Sequence, residues 1–315
     1  MKRVLITCPP MLREQQQIVE LGEQFGLELE TAEVVQTLSE SELSAMLPAY
    51  DGWIAGDDPA TQQVLADAVS GKLRAVIKWG IGIDNVDLNA IDNFAIKFAN
   101  TPGMFSNEVA DLAIGYLICL ARQIVTVDRE VRKGNWIKPP GISLAGKTAA
   151  VVGLGNIGRA VVKRLHVMGV NTIGFDPYVT ELKDSPEGAS SQIAVWPNQV
   201  EYVDFVFLCC ALTESNHHLI NTTILSKLPQ HAQIINVSRG PLIDETALIN
   251  ALQSQSIAGA ALDVFESEPL PGHSPLIDMS NVVLGSHNAS NTREAVRKTN
   301  QKAVELLAGF LKEED

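Results

Sequence analysis

Aromatic residues are scarce in this chain, 5% of 315 positions, and positive charge is outweighed, with 24 Lys and Arg against 37 Asp and Glu for a formal charge of −13. Few aromatic platforms and a net negative charge argue against stacked recognition of single strands and against binding to phosphate backbones. No nucleic-acid partner is expected. Apolar runs such as Leu112 to Leu120 stop well short of the roughly 20 residues needed to cross a bilayer, so no membrane partner is expected either. Met1-Lys2-Arg3 leads straight into Val4-Leu5-Ile6 and then Pro9-Pro10. That is not the pattern of an export signal, and a cytoplasmic location is expected. Cysteine is rare: Cys8, Cys119, Cys209 and Cys210 each lie in an apolar run, with no Cys-x-x-Cys or Cys-His spacing. They read as small core residues, and no metal site is expected. His166, His217, His218, His231 and His273 also lack ligand spacing and read as surface or structural residues.

What the chain does have is 46% hydrophobic residues arranged as short β-branched runs that alternate with helical patterns. That alternation is the mark of an α/β protein with parallel sheets covered on both faces. The length points to two domains. Strands are predicted at Arg3 to Thr7, Leu27 to Thr31, Gly52 to Ala55, Ala75 to Trp79 and Ile96 to Ala99, with helices around Leu12 to Phe25 and Thr61 to Val69. A second α/β unit, with the same order of elements, begins at Lys147 and has strands near Thr148 to Val152, Asn171 to Phe175, Val203 to Leu208, Gln233 to Val237, Ala258 to Leu262 and Val282 to Leu284. A last helix, Thr292 to Phe310, has no strand after it and is expected to fold back on the first unit. The predicted domains are therefore residues 1–100 with 290–315, and 101–289. Between them, Ser106 to about Lys133 reads as one long helix bridging the domains, apolar on nearly every face. It is expected either to form a homodimer interface or to be a core helix of a monomer.

Gly153-Leu154-Gly155-Asn156-Ile157-Gly158 follows the strand Thr148 to Val152 and precedes a helix expected over Arg159 to Met168. In that setting the glycines permit a tight turn and let backbone approach a pyrophosphate, whose charge meets the helix N-terminus. Asp176 stands 18 residues beyond Gly158, at the end of the next strand. A carboxylate there accepts bonds from ribose hydroxyls and repels a 2′-phosphate, which favours NAD over NADP. The alternative, ordinary glycine turns with Asp176 as a plain strand-end residue, requires both features to coincide. Three further strands end in polar stretches: Asn236-Val237-Ser238-Arg239-Gly240, Asp263-Val264-Phe265-Glu266-Ser267-Glu268-Pro269 and Gly285-Ser286-His287-Asn288. An arginine, a glutamate and a histidine at one sheet edge suit a 2-keto acid. The guanidinium holds the carboxylate or carbonyl, the imidazole supplies a proton, and a carboxylate steadies the charged ring.

These stretches, in identity and order, together with Gly80-Ile81-Gly82-Ile83-Asp84-Asn85-Val86-Asp87 and Asn100-Thr101-Pro102-Gly103, resemble the D-isomer-specific 2-hydroxyacid dehydrogenases over about residues 75–295. Within that family the likeness is greatest to the phosphoglycerate dehydrogenases. The resemblance implies a Rossmann NAD-binding domain and a flavodoxin-like substrate domain. It implies interconversion of a D-2-hydroxy acid and its 2-keto acid, with D-3-phosphoglycerate and 3-phosphohydroxypyruvate as the leading pair. Glyoxylate or hydroxypyruvate reduction, or a non-catalytic NADH-sensing protein, are the alternatives. Residue by residue it makes Arg239 the carboxylate anchor and His287 the acid and base, oriented by Glu268 rather than by the competing Glu266. It gives Gly153, Gly155, Asn156, Ile157, Gly158, Asp176, Cys210, Ala211, Val237, Ser238 and Asp263 to the cofactor, with Asp263 on the carboxamide and Leu212 beside the adenine ribose. Backbone N–H groups of Gly80, Ile81 and Gly82 would meet the substrate carboxylate. Lys78 stands where a basic residue could meet a substrate phosphate, or is an ordinary strand-end charge. His287 is followed by Asn288-Ala289-Ser290 where relatives often carry glycines, which leaves the geometry of that loop to the tertiary structure.

Overall fold

Short buried runs make the strands. In the computed structural model, which describes residues 1–181 and 190–312, β1 (Lys2–Ile6), β2 (Leu27–Thr31), β3 (Gly52–Ala55), β4 (Ala75–Lys78) and β5 (Lys97–Asn100) form one sheet in the order β2-β1-β3-β4-β5. Every pairing is parallel. All four residues of β3 and of β4 are buried, because helices cover both faces. These helices are α1 (Pro9–Leu12), α2 (Gln15–Phe25), α3 (Glu40–Met46), α4 (Gln62–Ser70) and α5 (Leu88–Asn93). Side chains satisfy their first amides: Ser39 and Glu42 make a capping box on α3, and the side chains of Thr61 and Asp87 cap α4 and α5. Gly26 ends α2 in the left-handed region at φ 69°.

The helix expected over 106–133 is two. α6 (Ser106–Arg122) stops at Gln123, which adopts φ 52°, and α7 (Ile124–Arg132) leaves at a bend of 64°. The segment after α7 returns and takes up the polar groups at the break: Ile142 N–H donates to the Ala121 carbonyl (2.8 Å), and Gln123 Nε2 donates to the Pro140 carbonyl (2.9 Å). A contact from 17 residues away leaves no periodic signal, so the apolar pattern alone ran through the corner. α6 buries Val109, Ala113, Leu117 and Leu120 against its own unit, whereas α7 buries none of its residues. No single helix among the described residues is long and apolar enough to cross a membrane.

The second sheet contains β6 (Thr148–Val152), β7 (Asn171–Phe175), β8 (Ser191–Ile193), β9 (Phe205–Leu208), β10 (Gln233–Asn236), β11 (Gly259–Leu262) and β12 (Val282–Leu284). Their order is β12-β11-β10-β9-β6-β7-β8, again parallel throughout. Like the first sheet it is wound in two directions, from β6 outward to β8 and then, from β9, the other way to β12, with one more strand on each side. Helices α8 (Asn156–Val167), α9 (Thr222–Leu225) and α10 (Glu245–Gln253) connect these strands. Phe175, Val206, Leu208, Ile234 and Leu252 contribute to the core of this unit. The edge strand β8 has no counterpart in the sequence-based expectations. α11 (Arg293–Lys312) packs on β4 and α2, so the compact units are Met1–Phe105 with Asn291–Asp315, and Ser106–Ser290.

Candidate active site

The winding reverses between β6 and β9, and in open α/β sheets that reversal opens a crevice at the carboxyl ends of the strands. Gly153, just past β6, has φ 90°, and a Cβ there would lie 2.5 Å from both Cα and N of Cys210 in the loop after β9. Only glycine lets the two loops touch. Gly158 has the same constraint, since a Cβ would lie 1.9 Å from the Gly153 carbonyl oxygen. α8 begins at Asn156 rather than at Arg159, so Asn156, Ile157 and Gly158 are its first turn, and no side chain caps it. Gly155 is different again: a Cβ there would meet nothing within 4 Å. Asp176, at the end of β7, is fixed by two amides, accepting from Leu154 N (2.8 Å) and Tyr178 N (2.9 Å). An uncapped helix turn, open space above Gly155 and a pinned carboxylate one strand away match the needs of pyrophosphate and ribose, and the residues fit a dinucleotide. On the other side of the crevice Ser238 donates to the Cys210 carbonyl and Val237 is buried. Ala211 is exposed, and burial pushes the Cys210 thiol up to about 11.

β10, β11 and β12 are neighbours, so the loops that leave their carboxyl ends come off one edge. The first carries Arg239. Its backbone is held by Asn236, whose Nδ2 donates to the Arg239 carbonyl (2.9 Å) and whose Oδ1 accepts from Ser238 N (3.0 Å). Gly240 packs so closely on the β11 loop that a Cβ would fall 1.9 Å from the carbonyl of Phe265. The β11 loop carries both glutamates, and the structure separates them. Glu268 Oε2 lies 2.7 Å from His287 Nδ1, while its Oε1 accepts from Phe265 N (2.9 Å). Glu266 faces the other way and meets His218 Nε2 at 2.6 Å. Its main-chain N–H donates to Glu245, whose carboxyl is raised chiefly by burial, with the charge of Glu266 adding to it. Residues two apart need not share a direction in a loop, and here the hydrogen bonds decide which carboxylate serves which imidazole. His218, with its ring centroid 3.9 Å from that of His217, braces the back of the loop.

His287 adopts φ 53°, a left-handed conformation uncommon for a residue with a side chain. Asp263 holds it there. The Asp263 carbonyl accepts from His287 N (2.7 Å), and its carboxylate, fully buried, accepts from Ala289 N (2.8 Å) and from the Tyr116 hydroxyl (2.9 Å). Tyr116 was missed in the sequence. Its only signal is one phenol within the apolar stretch of α6, because its partner lies 147 positions away.

In the first unit the turn after β4 is drawn in by Thr101. Gly80, at φ 125°, gives its N–H to Thr101 Oγ1 (2.8 Å), and its carbonyl accepts from Thr101 N (3.0 Å). The expectation that Gly80 offers this N–H to a carboxylate is therefore corrected; Ile81 and Gly82 keep theirs. Lys78 departs from both expectations for it. Its side chain is 2% exposed, folded beneath the turn with Nζ 3.1 Å from Asp57 Oδ1 and 3.1 Å from the Trp79 carbonyl. A buried ammonium is tolerable only with such partners.

His166 is buried, with Nε2 near Thr172 Oγ1 and Ser191 Oγ, and burial lowers its pKa. The four cysteines are free thiols. Among the described residues no group of three or more His, Cys, Asp or Glu is arranged to hold a metal ion.

Residues 114–289 match the model of the D-isomer specific 2-hydroxyacid dehydrogenase, NAD binding domain. The chain is 36% identical over 288 residues to the D-3-phosphoglycerate dehydrogenase of Rattus norvegicus, an alignment covering 88% of this chain and 52% of that protein. It is 35% identical over 259 residues to the glyoxylate reductase of Korarchaeum cryptofilum, covering 80% of this chain and 77% of that one. Among solved structures, the apo D-lactate dehydrogenase of Escherichia coli superposes with a TM-score of 0.82 at 27% identity, covering 99% of this chain and 97% of that one. The chain spans about half the length of the phosphoglycerate dehydrogenases that it matches. Sheet order, glycine cradle and family match agree, and the chain belongs to the D-isomer specific 2-hydroxyacid dehydrogenase family, with residues 114–289 in its NAD-binding domain.

Proposed function

We propose that the protein interconverts a D-2-hydroxy acid and its 2-keto acid with NAD. The observation that carries this reading is the 2.7 Å contact between His287 Nδ1 and Glu268 Oε2 at the edge that also bears Arg239. Gly153, Gly155, Asn156, Ile157 and Gly158 would hold the pyrophosphate, Asp176 the adenosine ribose, Cys210 and Ala211 the adenine side, and Val237 and Ser238 the nicotinamide side, whereas Asp263, fully buried with its carboxylate accepting from Ala289 N and Tyr116, stands behind that surface and not on it. NAD, when bound, supplies the hydride donor or acceptor for C2. The chain's own residues manage charge and proton. Arg239 neutralises the substrate carboxylate and polarises the C2 carbonyl. Because Nδ1 donates to Glu268, the proton moves at His287 Nε2: given to the C2 oxygen in reduction, taken from the C2 hydroxyl in oxidation. Glu268 compensates the imidazolium in either direction, and its second oxygen, held by Phe265 N, fixes the ring plane.

D-3-phosphoglycerate and 3-phosphohydroxypyruvate are the leading substrate pair, supported by the relatives of that name. A second reading, reduction of glyoxylate or hydroxypyruvate, is favoured by Lys78, whose ammonium is engaged by Asp57. The segment 106–133 is the proposed homodimer contact, supported by exposed Ile124 and Val131 on α7 and by Trp136 beyond it. The test is NADH oxidation with glyoxylate, hydroxypyruvate, 3-phosphohydroxypyruvate and pyruvate, beside Arg239→Ala and His287→Ala. Reduction of one acid by the wild type and its loss in both variants is expected. NADH binding without turnover of any acid would replace the enzyme by a sensor.

A further inference from the structure

We infer that Tyr116 is a positioning residue for His287, acting from α6 through the buried carboxylate of Asp263; the inference rests on the role proposed above for His287. The geometry forms a chain of three links. The Tyr116 hydroxyl donates to Asp263 Oδ1 (2.9 Å), Asp263 Oδ2 accepts from Ala289 N (2.8 Å), and the Asp263 carbonyl accepts from His287 N (2.7 Å). The His287 loop is thus gripped at two amides, one on each side of Asn288, by a single aspartate whose other oxygen is taken by the phenol.

Three observations make this grip more than packing. His287 adopts φ 53°, which a residue with a Cβ holds only when its surroundings impose it. Asp263 has no exposed surface, so each donor to its carboxylate replaces water it would otherwise have, and losing one is costly. Gly285, at the start of the same loop, is needed for the link to exist: a Cβ there would lie 2.1 Å from the Tyr116 hydroxyl oxygen and 2.3 Å from Asp263 Oδ1. Burial and the neighbouring Asp263 raise the pKa of Tyr116, so its hydroxyl remains a donor at every pH at which the protein would work. Glu268 sets which ring nitrogen of His287 carries the transferable proton, and Tyr116 sets where the ring stands.

Tyr116→Phe removes one oxygen and keeps the ring that α6 buries. Hydrogen exchange read by mass spectrometry on the peptide covering residues 285–289 should quicken about tenfold, with the rest of Ser106–Ser290 unchanged and the Tm within a few degrees. With NADH and the keto acid turned over fastest in the panel above, kcat should fall about 10-fold, with KM and the NADH Kd within about threefold. A purely structural role would instead lower the Tm and loosen the whole unit, and that result overturns the inference. So does wild-type exchange at 285–289 together with wild-type kcat. Should the variant not fold, the wild type still decides: unprotected His287 and Ala289 amides in the native protein would overturn the grip. His287→Ala run alongside separates the two ideas. If it keeps full activity, the proposed role of His287 fails and the inference with it; if it is inactive while Tyr116→Phe matches wild type in exchange and kcat, only the inference fails.

Discussion

Gly155 and Gly158 stand three positions apart, and the structure predicts that replacing each with alanine weakens NADH binding but that only the second replacement destabilises the fold. At Gly158 the new methyl would fall 1.9 Å from the Gly153 carbonyl oxygen and 2.9 Å from its carbon, so α8 and the β6 turn must part by more than about 1 Å to restore an ordinary contact. Overpacking of this kind costs about 1–3 kcal/mol, and each kcal/mol lowers the Tm of a domain of about 150–250 residues by about 2–4 °C. The expected drop is about 2–12 °C. The same shift carries the first amides of α8 away from the phosphate position, so NADH binding should weaken at least tenfold. At Gly155 the methyl would touch nothing and φ is an ordinary −68°. Gly155→Ala should therefore keep the wild-type Tm within about 2 °C while still losing about tenfold in NADH affinity, or about 1.4 kcal/mol, because its methyl occupies space left for the ligand. Thermal melts followed by circular dichroism and titration of NADH fluorescence measure both quantities. A stable Gly158→Ala that binds NADH normally would refute the steric reasoning, and a Gly155→Ala with unchanged affinity would place the pyrophosphate elsewhere.

The two glutamates of the β11 loop should separate in kinetics: Glu268→Gln is expected to lower kcat about 10- to 100-fold, and Glu266→Gln less than about threefold, in steady-state NADH oxidation. Equal losses would mean that the 2.7 Å contact is not the working one. Arg239→Lys keeps the charge but lacks the planar fork, so kcat/KM should fall by about 10²-fold, and near-normal activity would count against bidentate anchoring. Cys210, raised to about 11 by burial, has only about one thiol in 3,000 ionised at pH 7.5, against about one in ten for an ordinary thiol. Since the protonated form dominates below that pKa, iodoacetamide labelling should be slow and should rise about tenfold per pH unit toward pH 11. Labelling at the rate of a free thiol would show that the Cys210 loop is open.

The sequence was most legible where chemistry needs a local pattern. The Gly153 to Gly158 string after a buried strand and Asp176 at the end of the next one act over a few positions, and strand pattern and turn chemistry report them. α3, α5 and β8 were not anticipated because they are short, and short elements carry little periodic signal. The corner at Gln123 was hidden because its partners Pro140 and Ile142 arrive from a separate stretch of chain.

By itself, then, the amino-acid order determined an α/β protein with two parallel sheets, a chain end that returns to the first unit, and the residue types that serve a keto acid and a dinucleotide. The resemblance already pointed to Glu268 as the partner of His287, and the structure puts the two 2.7 Å apart; only the tertiary structure decided that Gly80 spends its N–H on Thr101, that Lys78 lies buried against Asp57, and that Tyr116 reaches Asp263. The physical reason is the same in each case. A strand or a helix turn is fixed by neighbours along the chain, whereas a hydrogen bond between groups 21 or 147 positions apart exists only once strands have paired and helices have packed, and no spacing rule encodes it.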